Sequence, residues 1–362
     1  MNISSESGLG HEGNLRQDGT FEYYISEPIF ENDAIGIAPF IMAYVEKIRK
    51  WKSELTLVFY LFSTFNRVII STIGKGDVMI IKFVVPQGMC GGVASAINQI
   101  EKLLQDPQTV KPIYMLGSLV HNKIIVNQFQ KQGIIILDGV NKEESINSIP
   151  FGTIIFTAHG VSDKIYDLAL KKGLKIVDTT CPNVLKTHEI VKKKLSEGYD
   201  ILFFGIKGHP ETEGILGLSN KIQLVDDSMK ISPISKKTLL INQTTLPFKQ
   251  VQTLYKKIKN KYPLIELADE ICSATYQRQK AALEQTKDAD ICLVIGDIMS
   301  NNCQSLKQVI ESENNVKTYL IETVNDLKSI DFSNVNTVAL TSGASTPKTI
   351  VDAIINELEK YK

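Results

Sequence analysis

An α/β fold made of several small, mostly parallel sheets is the architecture this sequence predicts, and three observations point to it. From about residue 79 onward, short apolar β-rich runs alternate with polar stretches of helical period, the pattern of strands joined by crossover helices. Twelve such runs fit into about 280 residues, which suits three small sheets better than one large one. Cys90, Cys181 and Cys272 are spaced 91 residues apart, each after a strand-like run and before a helical one. Three pseudo-equivalent lobes, each giving one thiol to a shared centre, explain that spacing economically.

In chain order the strand candidates are IIKFVV, PIYML, GIIIL, TIIFT, LKIV, DILFFG, IQLV, TLLIN, PLIEL, ICLVIG, TYLIE and TVALT. Between them GVASAINQIEKLLQ, VSDKIYDLALKKG, VLKTHEIVKKKLSEG and RQKAALEQTKDA read as amphipathic helices, with Gly173 and Gly198 where C-caps fall. The lobes are read as residues 79–180, 181–270 and 271–362. Residues 1–78 lack this grammar: the first 35 or so are polar, and a possible helix around PFIMAYVEKIRKWK and an apolar strand-like run follow. Met79 stands directly before the first strand of the repeat, so residues 1–78 are read as an extension, either an appended segment or an upstream start.

Composition excludes several classes. Lys plus Arg and Asp plus Glu both number 40 in the 362 residues, so no global positive field recruits nucleic acid or an anionic membrane. Any bound anion must be held by a local site. The longest N-terminal apolar run, Leu55 to Phe62, is far shorter than the roughly 20 residues that span a bilayer. The opening MNISSESGLGHEGN lacks the features of a secretory signal. Five dispersed cysteines read as thiols in a reducing compartment, and the cytoplasm is the simplest address.

Three constellations carry chemistry. Cys90 in PQGMCGGV, Cys181 in VDTTCPNV and Cys272 in ICSATYQRQ each lie in a strand-to-helix turn, where a helix N-terminus favours a thiolate. Three thiols without a fourth suggest a 4Fe-4S cluster with one iron open, able to act as a Lewis acid. Any one of them read alone is an ordinary capping or buried cysteine, and the matching contexts favour the cluster for the set. Structural zinc lacks its usual paired C-x-x-C spacing here.

The second constellation is His121 in SLVHNK, His159 in FTAHGVS and His209 in GHPETEG, donors suited to a diphosphate or to proton delivery. The third is Thr244 in NQTTL, Thr275 after the third cysteine, Ser300 and Asn302 in GDIMSNN, and Ser345 in TSGASTP. Such groups hold phosphate oxygens without a Walker loop, and each alone reads equally as a helix cap. Glu211, two residues after His209, is the acidic group best placed for proton transfer; alternatively it is a first-turn carboxylate at a helix N-terminus.

GMCGGV, LVHN, TAHGVS, DTTCP, GHPETEG, NQTTL, ICSATYQRQ, SNN and GAST occur in that order, and over roughly residues 79–362 the chain thereby resembles the LytB family of reductases. The resemblance implies a trefoil of three α/β lobes around a central 4Fe-4S cluster held by Cys90, Cys181 and Cys272. It puts diphosphate binding on His121, His159, His209, Ser300, Asn302 and Ser345, a proton relay on Glu211 and Thr244, and a further pocket position on Thr275. The implied reaction is reductive removal of the hydroxyl of 4-hydroxy-3-methylbut-2-enyl diphosphate, giving isopentenyl and dimethylallyl diphosphate at the end of the non-mevalonate isoprenoid route. In it the hydroxyl oxygen meets the open iron, and single electrons arrive from ferredoxin or flavodoxin.

Two departures from the family pattern stand out. Asp297, Ile298 and Met299 replace the polar Lys-Asn pair usual before Ser300, and Asn301 replaces a common second serine, which makes Asn301 a further diphosphate-site candidate. Cys292 and Cys303 have no family role and are read as structural thiols. An aconitase-like hydro-lyase would take two cysteines from one short segment, and a cluster-bearing sensor would not need the histidine and hydroxyl set.

Overall fold

Each of the three equally spaced cysteines caps a helix, and each helix opens one repeat of the same unit. The structure, a computed structural model, describes residues 68–73, 77–120, 122–139, 141–226 and 237–360. Helix α1 (Gly91–Gln105), α5 (Pro182–Ser196) and α8 (Ser273–Gln285) have Cys90, Cys181 and Cys272 as their N-caps. Between α1 and α5 lie β3 (Ile113–Leu116), α2 (Lys123–Lys131), β4 (Ile134–Leu137), α3 (Lys142–Ser148), β5 (Thr153–Phe156), α4 (Asp163–Lys171) and β6 (Lys175–Asp178). Between α5 and α8 lie β7 (Asp200–Phe204), α6 (Pro210–Leu216), β8 (Ile222–Val225), β9 (Thr238–Asn242), α7 (Phe248–Lys261) and β10 (Glu266–Ala268). After α8 come β11 (Ile291–Ile295), α9 (Asn301–Asn314), β12 (Lys317–Ile321), a 3-10 turn (Val324–Ser329), β13 (Thr337–Ser342) and α10 (Lys348–Leu358).

The three sheets share one winding. The first runs β4-β3-β5-β6 and the second, read from its far edge, β8-β7-β9-β10. In the third, β12, β11 and β13 are neighbours in that order. All these pairings are parallel. In each lobe the first strand is central, the second lies on one side of it and the third on the other. That reversal opens a crevice beyond the carboxyl ends of the first and third strands, where doubly wound sheets bind ligands.

Apolar periodicity fastens each capped helix to its own sheet. Val93, Ala96 and Ile100 of α1 pack with Ile113, Met115 and Ile155 of the first sheet. Val191 of α5 packs with Ile201, Phe203 and Ile241 of the second, and Ala281 and Ala282 of α8 with Cys292, Val294 and Ala339 of the third. Gly173 and Gly198, at φ +72° and +82°, follow the C-caps of α4 and α5; only glycine enters that left-handed turn without a Cβ clash.

By contacts the chain divides into two units, residues 1–83 with Lys362, and residues 84–361. In the first, β1 (Val68–Ile73) and β2 (Asp77–Phe83) form an antiparallel hairpin with Val68 opposite Lys82. The strand expected over IIKFVV therefore starts earlier and ends at Phe83, because it pairs back onto preceding chain. The strand expected over PLIEL is trimmed to Glu266–Ala268: Pro263 lacks an N–H and Leu264 is 73% exposed. The helix expected around PFIMAYVEKIRKWK lies outside the described residues. No helix of the described residues is long and apolar enough to cross a membrane.

Candidate active site

The crevices of the three lobes of the larger unit meet in one cavity. The loop after β3 supplies Val120 and that after β5 His159. The loops after β7 and β9 bring His209, Glu211 and Thr244; those after β11 and β13 bring Ser300, Asn301, Asn302 and Ser345. Cys90, Cys181, Cys272 and Thr275 also line it. Every candidate residue read from the sequence is thus brought to one place, except His121, which lies outside the described residues. Its neighbour Asn122 caps α2 and donates from Nδ2 to the Ser345 carbonyl at 3.2 Å, binding the first lobe to the third beside the cavity.

The three thiols are free, with no disulfide among them. Cys90 Sγ accepts from Val93 N at 3.5 Å, and Cys272 Sγ from Asn183 Nδ2 at 3.2 Å. Burial pushes the Cys181 thiol up, its neighbours Asn183 and Val184 offset this through their backbone N–H groups, and the Cys272 and Cys90 thiols push it up further. A Cβ on Gly92 would stand 2.9 Å from Cys181 Sγ and 3.9 Å from Cys90 Sγ, so glycine there leaves the thiols their space.

Among the described residues no group of three or more His, Cys, Asp or Glu side chains converges closely enough for a single metal ion. Three thiols on three separate helix N-termini, all lining one cavity, are a donor set that suits an iron–sulfur cluster. Such a cluster takes each thiolate on a different iron, and the helix ends favour its negative charge.

Beside the thiols, the His159 and His209 rings meet edge to face with centroids 5.5 Å apart. His209 is the N-cap of α6, and its Nδ1 accepts from Glu211 N at 3.2 Å, so Nε2 is the donating nitrogen of the neutral ring. His159 Nδ1 lies 3.4 Å from Thr157 Oγ1. Glu211 is 2% exposed; its two oxygens accept from Thr244 N at 2.8 Å and Thr244 Oγ1 at 3.0 Å. Burial pushes its carboxyl up to about 7, although both Thr244 bonds pull it down. Desolvation outweighs two good hydrogen bonds, leaving an acid that titrates near neutrality.

On the opposite wall Thr275 Oγ1 donates to Asn302 Oδ1 at 3.2 Å. Asn301 Nδ2 is buried without a hydrogen-bond partner, a donor left for an anion. The Asp297 to Met299 departure faces elsewhere: Asp297 Oδ1 accepts from Met299 N at 2.8 Å and Ile298 N donates to Glu322 at 3.0 Å, while Ile298 and Met299 are 44% and 67% exposed and line no part of the cavity. Cys292 and Cys303 are buried in the third core, Cys303 against Gly296 and Gly343, where a Cβ would come within 2.5 and 2.3 Å of its sulfur. Asn183 and Arg278, which also touch the thiol region, were not singled out in the sequence; both stand inside the cysteine motifs, but only packing shows which way they face.

The family model described as LytB protein matches residues 81–359. Over 282 residues the chain is 43% identical to a 4-hydroxy-3-methylbut-2-enyl diphosphate reductase of Geobacillus thermodenitrificans, covering 77% of this chain and 89% of that one. It is also 43% identical over 281 residues to a protein of the same name from Bacillus pumilus, covering 76% and 90%. Among solved structures, the E-1-hydroxy-2-methyl-but-2-enyl-4-diphosphate reductase of Plasmodium falciparum superimposes with a TM-score of 0.71 at 34% identity, covering 76% of this chain and 86% of that one. A second, (E)-4-hydroxy-3-methyl-but-2-enyl diphosphate reductase, described as the terminal enzyme of the non-mevalonate pathway, gives 0.55 at 28% identity, covering 77% and 98%.

Proposed function

The chain belongs to the LytB family, and on that premise we propose that its central cavity reduces 4-hydroxy-3-methylbut-2-enyl diphosphate to isopentenyl and dimethylallyl diphosphate. The balance of the reaction is one hydroxyl lost as water against two electrons and two protons taken up. The observation that carries this reading is the meeting of three helix-capping thiols with His159, His209 and Glu211 around one cavity.

Cys90, Cys181 and Cys272 would hold a 4Fe-4S cluster, which supplies single electrons and, at the iron without a protein ligand, Lewis acidity toward the hydroxyl. The protein's own residues do the rest. His159, His209, Ser300, Asn301, Asn302 and Ser345, with His121 by sequence, grip the diphosphate; the N-terminus of α9 adds backbone donors and a favourable dipole. Glu211, whose burial lets it keep a proton up to about pH 7, delivers a proton toward the departing hydroxyl, and Thr244 fixes its orientation through both oxygens. Thr275, tied to Asn302, closes the pocket beside the third cysteine.

Electrons would come from a small carrier, ferredoxin or flavodoxin, and the free thiols suit the cytoplasm. The test is anaerobic turnover of cluster-reconstituted protein with 4-hydroxy-3-methylbut-2-enyl diphosphate and reduced viologen, alongside Cys181→Ser. Substrate-dependent dye oxidation giving both isomers, lost in the variant, is expected; full iron and sulfide content without dye oxidation would refute the substrate assignment.

A further inference from the structure

Arg278 lies on α8, six residues beyond Cys272, and is 6% exposed. Its Nη2 donates to the Gly88 carbonyl at 2.8 Å and its Nη1 to the Ala274 carbonyl at 3.0 Å. Gly88, at φ +77°, forms the turn that delivers Cys90, and Ala274 is in the first turn of the helix that Cys272 caps. One guanidinium thus joins the turn of the first thiol to the helix of the third.

Its charge is unanswered by ordinary means. Nε is buried with no hydrogen-bond partner, and no carboxylate forms an ion pair with it among the described residues. Burial lowers its pKa, and the only opposing influences are the Cys90 and Cys272 thiols. A buried cation without a counter-anion is costly, and the groups able to carry negative charge that act on it are the Cys90 and Cys272 sulfurs, which line the cavity.

We propose that Arg278 is the buried counter-cation of the thiolate-held centre, a positioning residue that ties the Cys90 turn to the Cys272 helix and raises the reduction potential of the bound cluster. This rests on the cluster reading given above. A fixed positive charge favours the reduced state, which carries one more negative charge than the oxidised state. The effect is strongest in a site shielded from water.

The experiment compares wild type, Arg278→Met and Arg278→Lys as cluster-reconstituted proteins, by iron and sulfide analysis and by a dye-mediated redox titration followed by electron paramagnetic resonance. R278M keeps length and removes charge; R278K keeps charge and loses the planar fork. The expected result is a lower potential in R278M and a potential close to wild type in R278K. A merely structural role predicts a lower melting temperature in R278M with the wild-type potential, and that outcome overturns the proposal. If R278M takes up no iron, R278K decides: a cluster at near wild-type potential supports the charge role, and a cluster lost from both variants overturns it. A wild-type protein that binds no iron and sulfide would instead refute the cluster reading, and the inference with it.

Discussion

Glu211 shows how a single residue acquires its chemistry from its surroundings. In water its carboxyl would be ionised at neutral pH; sealed at 2% exposure it holds its proton up to about pH 7. Because its folded pKa lies above that of the unfolded chain, the folded state binds the proton more tightly. The resulting stability is complete below the ordinary carboxylate range and is lost as pH rises through about 7. Glu211→Gln keeps the shape and cannot ionise, so thermal melts should show the variant gaining on wild type between pH 5 and pH 8. A difference that stays constant over that range would mean Glu211 is charged throughout. In turnover the same variant is expected to lose on the order of 100- to 10,000-fold in kcat, the usual worth of a general acid, with iron content unchanged. Wild-type kcat should fall as pH rises past about 7, and this limb should vanish in the variant.

The element that matters most is the cysteine-capped helix, used three times. A cysteine is a weaker cap than serine or aspartate, and the Cys272 side chain makes no cap hydrogen bond to its own helix, so the caps are not explained by helix stability alone. Gly92 in the first turn of α1 makes the same point. Alanine there would favour the helix by about 1 kcal/mol, yet its Cβ would crowd Cys181 Sγ at 2.9 Å. Gly92→Ala is therefore expected to keep its helical content by circular dichroism while losing most of its cluster iron on reconstitution. Undiminished iron uptake would show that α1 and α5 have room to move apart. Of the three glycines in GMCGGV, only the packing of α1 against the Cys181 turn singles out Gly92.

For the whole molecule, one winding repeated in three lobes explains how a chain without any local phosphate loop gathers its thiols, histidines and hydroxyls around one cavity. Each lobe presents the crevice between its first and third strands, and residues too sparse to form a site within one lobe become dense where the crevices meet. All the functional groups named here lie beyond residue 83, as does nearly all of the family match over residues 81–359. A protein lacking residues 1–67 is accordingly expected to reconstitute its cluster and turn over 4-hydroxy-3-methylbut-2-enyl diphosphate with unchanged kcat in the viologen assay. A cluster-loaded but inactive truncation would assign those residues a part in the reaction.

By itself the sequence determined the α/β class and its three small sheets, and it marked the thiols, the hydroxyls and two of the histidines that line the cavity. All of these are written locally, in strand and helix periodicity, in turn composition, and in a 91-residue spacing between cysteines. It also marked Glu211, but not its proton affinity, which depends on how completely α6 and the Thr244 loop exclude water. Only the tertiary structure decided that Asp297, Ile298 and Met299 turn away from the cavity while Asn301 lines it, since adjacent residues at a helix start face different directions. Arg278 and Asn183 stayed hidden for the same reason: their partners, Gly88 and Cys272, are 190 and 89 residues distant in the chain, and contacts at that range are fixed by packing between lobes.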